Sequence, residues 1–197
     1  MNRPSFTLIA GANGSGKSML TNSNPDIFAS FPILDPDAIA RTIQSTITAS
    51  SAITAGRQAL QIAKQLLHDQ KSFAVETTLS GKNYLQMMLD ARNLGFEVVL
   101  VYIGTETVEI NLARIINRVL VGGHDVPESD VRRRYQRSLK NAPIAISRAD
   151  HVILFDNSTE QGYQLVGVID QGQTEWLEPL PEWAIGLQHH LPSEHSA

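Results

Sequence analysis

One segment near the start of the chain restricts the fold more than any other: residues 11–18 read GANGSGKS. They satisfy the pattern G-x-x-x-x-G-K-[ST], with Gly11, Gly16, Lys17 and Ser18 at its fixed positions. The run SFTLIA before it is β-branched and apolar, as in a buried strand, and a helix is expected to begin at Lys17. A glycine-rich turn between such a strand and a helix predicts a phosphate-binding loop.

The residue types of this loop suit the triphosphate of a nucleotide. Glycines let successive backbone N–H groups turn toward phosphate oxygens, and the start of the following helix adds positive partial charge. Lys17 is expected to bridge the β- and γ-phosphates and Ser18 to coordinate Mg²⁺. We therefore predict ATP or a close relative, together with Mg²⁺, as cofactors. The expected ATP contacts are Gly11, Ala12, Asn13, Gly14, Ser15, Gly16, Lys17, Ser18 and Met19.

Composition narrows the classes of protein that could carry this loop. The 197 residues include no cysteine, which excludes disulfides and thiol catalysis. A formal net charge of -4 and a pI near 5.8 argue against a dedicated nucleic-acid binder. No apolar run approaches the roughly 20 residues of a membrane span, and the first strand comes too early for a signal peptide. We expect a cytoplasmic protein with no membrane segment.

Strand-like and helix-like hydrophobic patterns alternate along most of the chain. Strands are expected at residues 5–10, 31–34, 72–75, 96–103 and 151–155, and helices at 17–22, 37–45, 52–69, 84–94, 107–121 and 127–141. This alternation predicts a doubly wound α/β domain with about five parallel strands.

The end of the chain has a different pattern. Residues 163–169 and 173–177, joined by a glycine turn, are typical of a β-hairpin. The segment after residue 179 is rich in Pro, His and Ser, which predicts a loosely held tail. We therefore expect a P-loop domain at 1–160, a small β-hairpin appendage at 161–180 and a loose tail at 181–197.

The absence of an Asn-Lys-x-Asp element argues against guanine specificity, and the sequence at 79–82 is only a misplaced fragment of an ABC signature. A small kinase instead needs an acid after its second strand, a carboxylate at the end of its third strand and a basic lid. Asp35 and Asp37 follow the second expected strand, where a carboxylate could accept the proton of an attacking hydroxyl. The alternative role for either residue is that of a helix N-cap.

Glu76 ends the third expected strand at the same edge of the sheet. It could hold the water shell of Mg²⁺ or fix the acceptor; the alternative is a solvated residue at the end of a strand. Thr77, Thr78 and Ser80 are expected to form a turn, and their hydroxyls could donate to the substrate.

Basic residues are concentrated in a region at about 114–140, which we interpret as a lid that closes over the phosphates. Arg114 and Arg118 are spaced to share one helical face, whereas neighbouring arginines point in different directions. The alternative is a solvated basic face. His124, between the two helices, is interpreted as a loop residue rather than a catalyst. The second lid helix carries Arg132, Arg133, Arg134 and Arg137.

Six segments together resemble the zeta toxin family of small-molecule kinases, and in particular its short members, often described as predicted ABC-type ATPases. These segments span residues 7–158 and read, in order, LIAGANGSGKS, LDPDAIA, SFAVETTLSG, GFEVVLVYIG, GGHDVPESDVRRRYQRSL and FDNS. The resemblance implies a P-loop NTPase with a three-layer, nucleotide-kinase-like fold, using ATP and Mg²⁺.

The resemblance also implies roles for individual residues. Asp37 would be the proton acceptor and Lys17 a phosphate ligand, while Glu76 would contact the acceptor. The resemblance also implies nucleotide contacts at Asp156 and Asn157, and arginines of the lid that stabilise the transferring group without specifying which ones. From their positions in the sequence, the candidate catalytic arginines are Arg118, Arg133 and Arg134, and the further candidate substrate contacts are Asp35, Thr77 and Thr78.

In the studied toxins, phosphate is placed on a hydroxyl of UDP-N-acetylglucosamine, so a sugar nucleotide or a similar nucleotide-containing metabolite is the expected acceptor. A protein antitoxin is a further expected partner. A hairpin is predicted here where the toxins proper have a long C-terminal extension, and a related branch of P-loop kinases acts on dinucleotides. The alternative function is an ATP-binding regulatory module, or a toxin–antitoxin component with little kinase activity.

Overall fold

The chain folds around one seven-stranded sheet, seen in a computed structural model that describes residues 3–28, 31–43, 49–170 and 172–188. The strands are β1 (Ser5–Ala10), β2 (Ile33–Leu34), β3 (Phe73–Thr77), β4 (Glu97–Gly104), β5 (His151–Asp156), β6 (Gln164–Asp170) and β7 (Gln173–Trp176). Their order across the sheet is β2-β3-β1-β4-β5-β6-β7. The first five pair in parallel and the last two are antiparallel, so the prediction of five parallel strands is confirmed.

Helices connect the parallel strands and cover both faces of the sheet. They are α1 (Lys17–Ser23), α2 (Pro25–Phe28), α3 (Pro36–Ile43), α4 (Ala49–His68), α5 (Asn83–Asn93), α6 (Val108–Leu120), α7 (Glu128–Ile146) and α8 (Glu182–Gln188). In the described residues, no helix combines the length and the apolar character that a bilayer crossing requires.

The larger core lies between one face of the sheet and helices α4, α5, α7 and α8. Phe6 and Phe73 stack there with ring centroids 4.8 Å apart, because alternate residues of the parallel strands point to the same side. On the opposite face, buried Ile9 and Ile103 pack against Leu20 of α1. The arrangement is the expected three-layer α/β fold.

The carboxyl ends of the parallel strands meet along one edge, and this edge collects the predicted site. β1 leads into the phosphate loop, β2 into Asp35, and β3 ends with Glu76 and Thr77. Ile9 pairs with Glu76 in the register of β1 and β3, which brings the end of β3 beside the start of the loop. The sheet therefore places residues that are distant in sequence within reach of one ligand.

The prediction of a loose tail is wrong for residues 182–188, which form α8. Trp183, Ala184 and Leu187 are buried there because this short helix directs its apolar side chains into the core. Trp183 stacks obliquely on Tyr102 of β4, with ring centroids 5.7 Å apart. The hairpin is confirmed, but as two further strands of the main sheet rather than an appendage, since β6 pairs with β5. Residues 189–197, and residue 171 in the predicted turn, lie outside the described residues.

Several predicted boundaries shift by a few residues. Glu76 and Thr77 lie within β3 rather than in the turn, because they continue the pairing with β1. α7 runs past Pro143 to Ile146, since Ala142 and Ala145 are buried and the packing offsets the missing hydrogen bond of the proline. The predicted end of the second helix at residues 44 and 45 falls outside the described residues.

Gly104 should tolerate no side chain. A Cβ built there lies 2.3 Å from Cε2 of Trp183, so Gly104→Ala should lower the free energy of unfolding by about 1–3 kcal/mol through overpacking. Urea denaturation measures the change. The matched control is Gly186→Ala within α8, where a built Cβ meets nothing within 4 Å, and which should be neutral or stabilising by up to about 1 kcal/mol. Equal stability of the two variants would contradict this packing.

Candidate active site

A cavity of about 680 Å³ opens at the carboxyl edge of the sheet. Its lining comes from the phosphate loop, the ends of β2 and β3, the two lid helices α6 and α7, and the segment after β5. The residues are Asn13, Gly14, Gly16, Lys17, Ser18, Met19, Asp35, Pro36, Asp37, Glu76, Thr77, Thr78, Arg114, Ile115, Asn117, Arg118, Arg134, Asn157, Thr159, Glu160 and Gly162.

The phosphate loop has a conformation that its glycines make accessible. Gly16 has a φ of 106°, and a Cβ built on it would lie 2.5 Å from Nδ2 of Asn157. At the other end of the loop, the N–H of Gly11 donates to the carbonyl oxygen of Thr77 at 3.2 Å. The loop is thus held between β3 and the segment after β5.

Lys17 is folded back onto this loop. Its Nζ donates to the carbonyl oxygens of Gly11 at 2.8 Å and Ala12 at 3.0 Å. Burial lowers the pKa of the Lys17 ammonium, while the negative charges of Glu76 and Asp37 oppose that shift. When a triphosphate binds beside the glycine loop, the desolvated Lys17 ammonium can replace its two carbonyl partners with phosphate oxygens.

Glu76 is a buried carboxylate with two hydroxyl donors. Its side-chain oxygens accept hydrogen bonds from Ser18 Oγ and Thr21 Oγ1, both at 2.7 Å, and only 5% of the residue is exposed. The alternative of a solvated residue at the strand end therefore does not hold. Ser18 and Glu76 place a hydroxyl and a carboxylate oxygen side by side, the oxygen ligands that Mg²⁺ prefers.

The sequence left open whether Asp35 or Asp37 is the N-cap of the helix, and in the structure the N-cap is Asp35. Oδ1 of Asp35 accepts a hydrogen bond from the N–H of Asp37 at 2.8 Å, which is the N-cap interaction of α3. Asp37 lies in the first turn of that helix, and both residues line the cavity on its acidic side.

Arg118 and Arg134 line the same cavity as these carboxylates. Nη2 of Arg118 donates to the carbonyl oxygen of His124 at 2.6 Å, which ties the lid loop to α6. Nη1 of Arg134 lies 3.3 Å from Oδ1 of Asn13 in the phosphate loop. Arg114, one turn before Arg118, lines the same wall.

Arg133 points away from the cavity. It forms an ion pair with Asp130 at 2.8 Å, and about half of its side chain is exposed. Its neighbour Arg132 pairs with Glu109 and Glu128, also at 2.8 Å. Consecutive helical residues differ by about 100° in direction, so α7 can present only Arg134 of this run to the loop.

Asp156 and Asn157 also have different positions. Oδ1 of Asp156 accepts hydrogen bonds from Nε1 of Trp183 at 2.8 Å and Oγ of Ser158 at 2.7 Å, and Asp156 does not line the cavity. Asn157 does line it, and its Nδ2 donates to the carbonyl oxygen of Ser15 at 2.8 Å.

Three buried donors next to the loop have no hydrogen-bond partner within the described residues: Ser15 Oγ, Arg114 Nη1 and Arg118 Nε. Buried polar atoms normally have partners, and the two arginines line the cavity, so their N–H groups could bond to a ligand there. Two cationic N–H groups beside a glycine loop suit an anionic ligand. The residues present therefore fit a nucleotide triphosphate.

Several residues of the site were not predicted. Thr21 supports Glu76, and Tyr163 donates from its hydroxyl to the carbonyl oxygen of Gly16 at 2.7 Å. Asn111 is fully buried in α6 and donates to the carbonyl oxygen of Asn13 at 2.7 Å. Only Asn111 left a signal in the sequence, since a buried asparagine in an otherwise apolar helical face requires a polar partner.

Lys17 should make the stability of the protein depend on pH in the alkaline range. Because its folded pKa is below the ordinary value of 10.5, the folded state binds fewer protons than the unfolded chain between these two values. The free energy of unfolding of the wild type should thus rise relative to that of Lys17→Met as the pH increases toward 10.5. Urea denaturation across this pH range measures the difference.

Lys64→Met, at an exposed position of α4, controls for the removal of a lysine. A difference between wild type and Lys17→Met that stays constant as the pH approaches 10.5 would contradict the burial of this ammonium.

Comparison with known proteins gives one clear sequence relative. No protein-family model matches the chain. An uncharacterized protein of Haemophilus influenzae is 43% identical over 125 residues, which cover 64% of this chain and 88% of that protein. Since the match covers most of that protein at high identity, the two share a family.

Solved structures of low identity share the fold. A chain of the AvrRxo1-ORF1:-ORF2 complex crystallised with ATP is 16% identical with a TM-score of 0.73; the match covers 99% of this chain and 66% of that one. The chain thus spans just under two thirds of that neighbour's length. A chain of the PezAT chromosomal toxin-antitoxin system of Streptococcus pneumoniae is 15% identical with a TM-score of 0.64, over 96% of this chain and 86% of that one. The protein has the fold of the zeta-toxin-like P-loop kinases and belongs to the same family as the Haemophilus influenzae protein.

Proposed function

We propose that this protein is an ATP-dependent kinase that transfers the γ-phosphate to a hydroxyl of a small-molecule acceptor. One observation carries the proposal: Asp37, Glu76 and Arg118 line the same cavity as Lys17 and Ser18. A phosphate cradle, a carboxylate that can take a proton and a cationic wall are the parts that phosphoryl transfer requires.

Each part has a role that follows from its position. The phosphate loop and Lys17 bind the triphosphate, and Ser18 and Glu76 would hold Mg²⁺, which supplies charge neutralisation at the phosphates when it is bound. Glu76 is fixed by two hydrogen bonds, so its carboxylate keeps its position when ATP arrives. In this structure the Ser18 hydroxyl donates to Glu76, which leaves the lone pairs of its oxygen available to a metal ion.

In this proposal Asp37 accepts the proton of the acceptor hydroxyl. Its negative charge is close enough to Lys17 to oppose the lowering of that ammonium's pKa by burial. Asp35 caps the helix, which leaves the carboxylate of Asp37 for the acceptor. Arg118 and Arg134 would stabilise the charge on the transferring phosphoryl group, as the cations of a closing lid do.

The proposed acceptor is a sugar nucleotide such as UDP-N-acetylglucosamine, or a similar nucleotide-containing metabolite. The resemblance to zeta toxins supports this choice, and Thr77 and Thr78 offer hydroxyls on the acceptor side of the cavity. Two structural neighbours come from a two-protein complex and a toxin-antitoxin system, which supports an antitoxin as a protein partner. The proposed location of the protein is the cytoplasm.

Labelled ATP identifies the acceptor most directly. The protein is incubated with Mg²⁺, γ-labelled ATP and a metabolite extract, and the compound that gains the label is identified. Uridine diphosphate sugars and dinucleotides are examined first. A protein that binds ATP but labels nothing would favour the regulatory alternative.

Asp37→Asn should lower phosphate transfer by about 10²–10⁴-fold, the usual contribution of a general base, and leave ATP binding largely intact. Both quantities come from the same sample, by label transfer and by calorimetric titration. Asp26→Asn, in α2 outside the cavity lining, is the control and should transfer at the wild-type rate. Transfer at the wild-type rate by Asp37→Asn would show that another group accepts the proton.

The lid arginines should differ in their effect on the transfer rate. Arg118→Ala and Arg134→Ala should each reduce it by about 10²-fold or more, since both residues line the cavity. Arg133→Ala should stay within about threefold of the wild type, because that side chain pairs with Asp130 at the surface. Single-turnover measurements with labelled ATP provide the rates, and an equal loss in all three variants would contradict the orientation of α7.

A further inference from the structure

The carbonyl groups of the phosphate loop are held from outside by three side chains. Nδ2 of Asn111 donates to the carbonyl oxygen of Asn13, Nδ2 of Asn157 to that of Ser15, and the hydroxyl of Tyr163 to that of Gly16, at 2.7, 2.8 and 2.7 Å. The donors come from α6, from the segment after β5 and from the residue before β6.

These bonds determine which way the N–H groups of the loop point. In a trans peptide the carbonyl of one residue and the N–H of the next lie in one plane and point in opposite directions. Holding the carbonyls of Ser15 and Gly16 outward therefore directs the N–H groups of Gly16 and Lys17 toward the cavity. The carbonyl of Gly16 also accepts the first backbone hydrogen bonds of α1, from Met19 and Leu20 at 2.9 and 3.0 Å, so the Tyr163 hydroxyl reinforces an orientation that the helix already favours.

The supports at Asn157 and Tyr163 are themselves fixed by the C-terminal part of the chain. The N–H of Asn157 donates to the carbonyl oxygen of Gly104 at 3.0 Å, and its neighbour Asp156 is bound by Nε1 of Trp183 in α8. The ring of Tyr163 meets Phe155 edge to face, with ring centroids 6.2 Å apart.

We propose that Asn157, Tyr163 and Trp183 are positioning residues for the nucleotide phosphates, with Trp183 acting through Asp156. The β5–β6 segment and α8 then form a support that holds the phosphate loop in its binding conformation before the ligand arrives. This proposal rests on the nucleotide-binding half of the proposed function and does not depend on phosphate transfer.

Two variants remove one hydrogen bond each; Tyr163→Phe keeps the ring, whereas Trp183→Phe replaces the indole with a smaller phenyl ring. Tyr163→Phe deletes the hydroxyl that bonds to Gly16, and Trp183→Phe deletes the N–H that bonds to Asp156. The dissociation constants of Mg·ATP and of Mg·tripolyphosphate are measured by calorimetry. The loss of one hydrogen bond should weaken both probes by about two- to tenfold, and to the same extent, because the supports act on phosphate and not on the base.

Tyr84→Phe provides the matched control, since Tyr84 packs against the core from α5 and does not line the cavity. It should leave both affinities unchanged. Thermal unfolding of the ligand-free variants shows whether Trp183→Phe remains folded; should it not, Tyr163→Phe alone decides the outcome.

Unchanged tripolyphosphate affinity in a folded Tyr163→Phe or Trp183→Phe variant would overturn the proposal. So would a loss confined to ATP, which would assign these residues to the base, or an equal loss in Tyr84→Phe. A wild-type protein that binds tripolyphosphate but transfers no phosphate would contradict the kinase proposal and leave this one standing.

Discussion

The arrangement at the carboxyl edge depends on one buried carboxylate. Glu76 is removed from water at the end of β3, and a carboxylate in that position is tolerated only when its oxygens are hydrogen-bonded. Ser18 and Thr21, on the first turns of α1, provide those bonds. These bonds fix α1, the helix that follows the phosphate loop, to β3. The distance between the phosphate loop and the end of β3 is therefore fixed.

Charge around the cavity is divided rather than uniform. Asp35, Asp37 and Glu76 belong to β2, β3 and the residues after them, on one side of β1 in the sheet, whereas Arg118 and Arg134 come from the helices that follow β4. The arginines find their hydrogen bonds in the lid loop and the phosphate loop. In the proposed function the phosphates would face the arginines and the hydroxyls of the acceptor would face the carboxylates.

The sequence alone predicts the parts of this structure that follow from local pattern. Hydrophobic periodicity predicts the five parallel strands, and the glycine pattern predicts the phosphate loop. The acids are predicted from their positions after the strands, and the structure places the loop and these acids around one cavity. The choice between Arg133 and Arg134 could not be made, because it depends on how α7 is rotated when it packs. Trp183 was missed for a related reason: its burial depends on Gly104, which is distant in sequence and gives the ring space that no local pattern reveals.

Because α8 comes late in the chain, the order of synthesis affects when the phosphate loop gains its supports during folding in the cell. The phosphate loop precedes its three supporting side chains, at residues 111, 157 and 163, in the order of synthesis, and Asp156 beside one of them is bound by residue 183. A nascent chain therefore carries the loop before it carries the groups proposed to hold it. Nucleotide binding should thus stabilise the finished domain more than a chain that ends before α8.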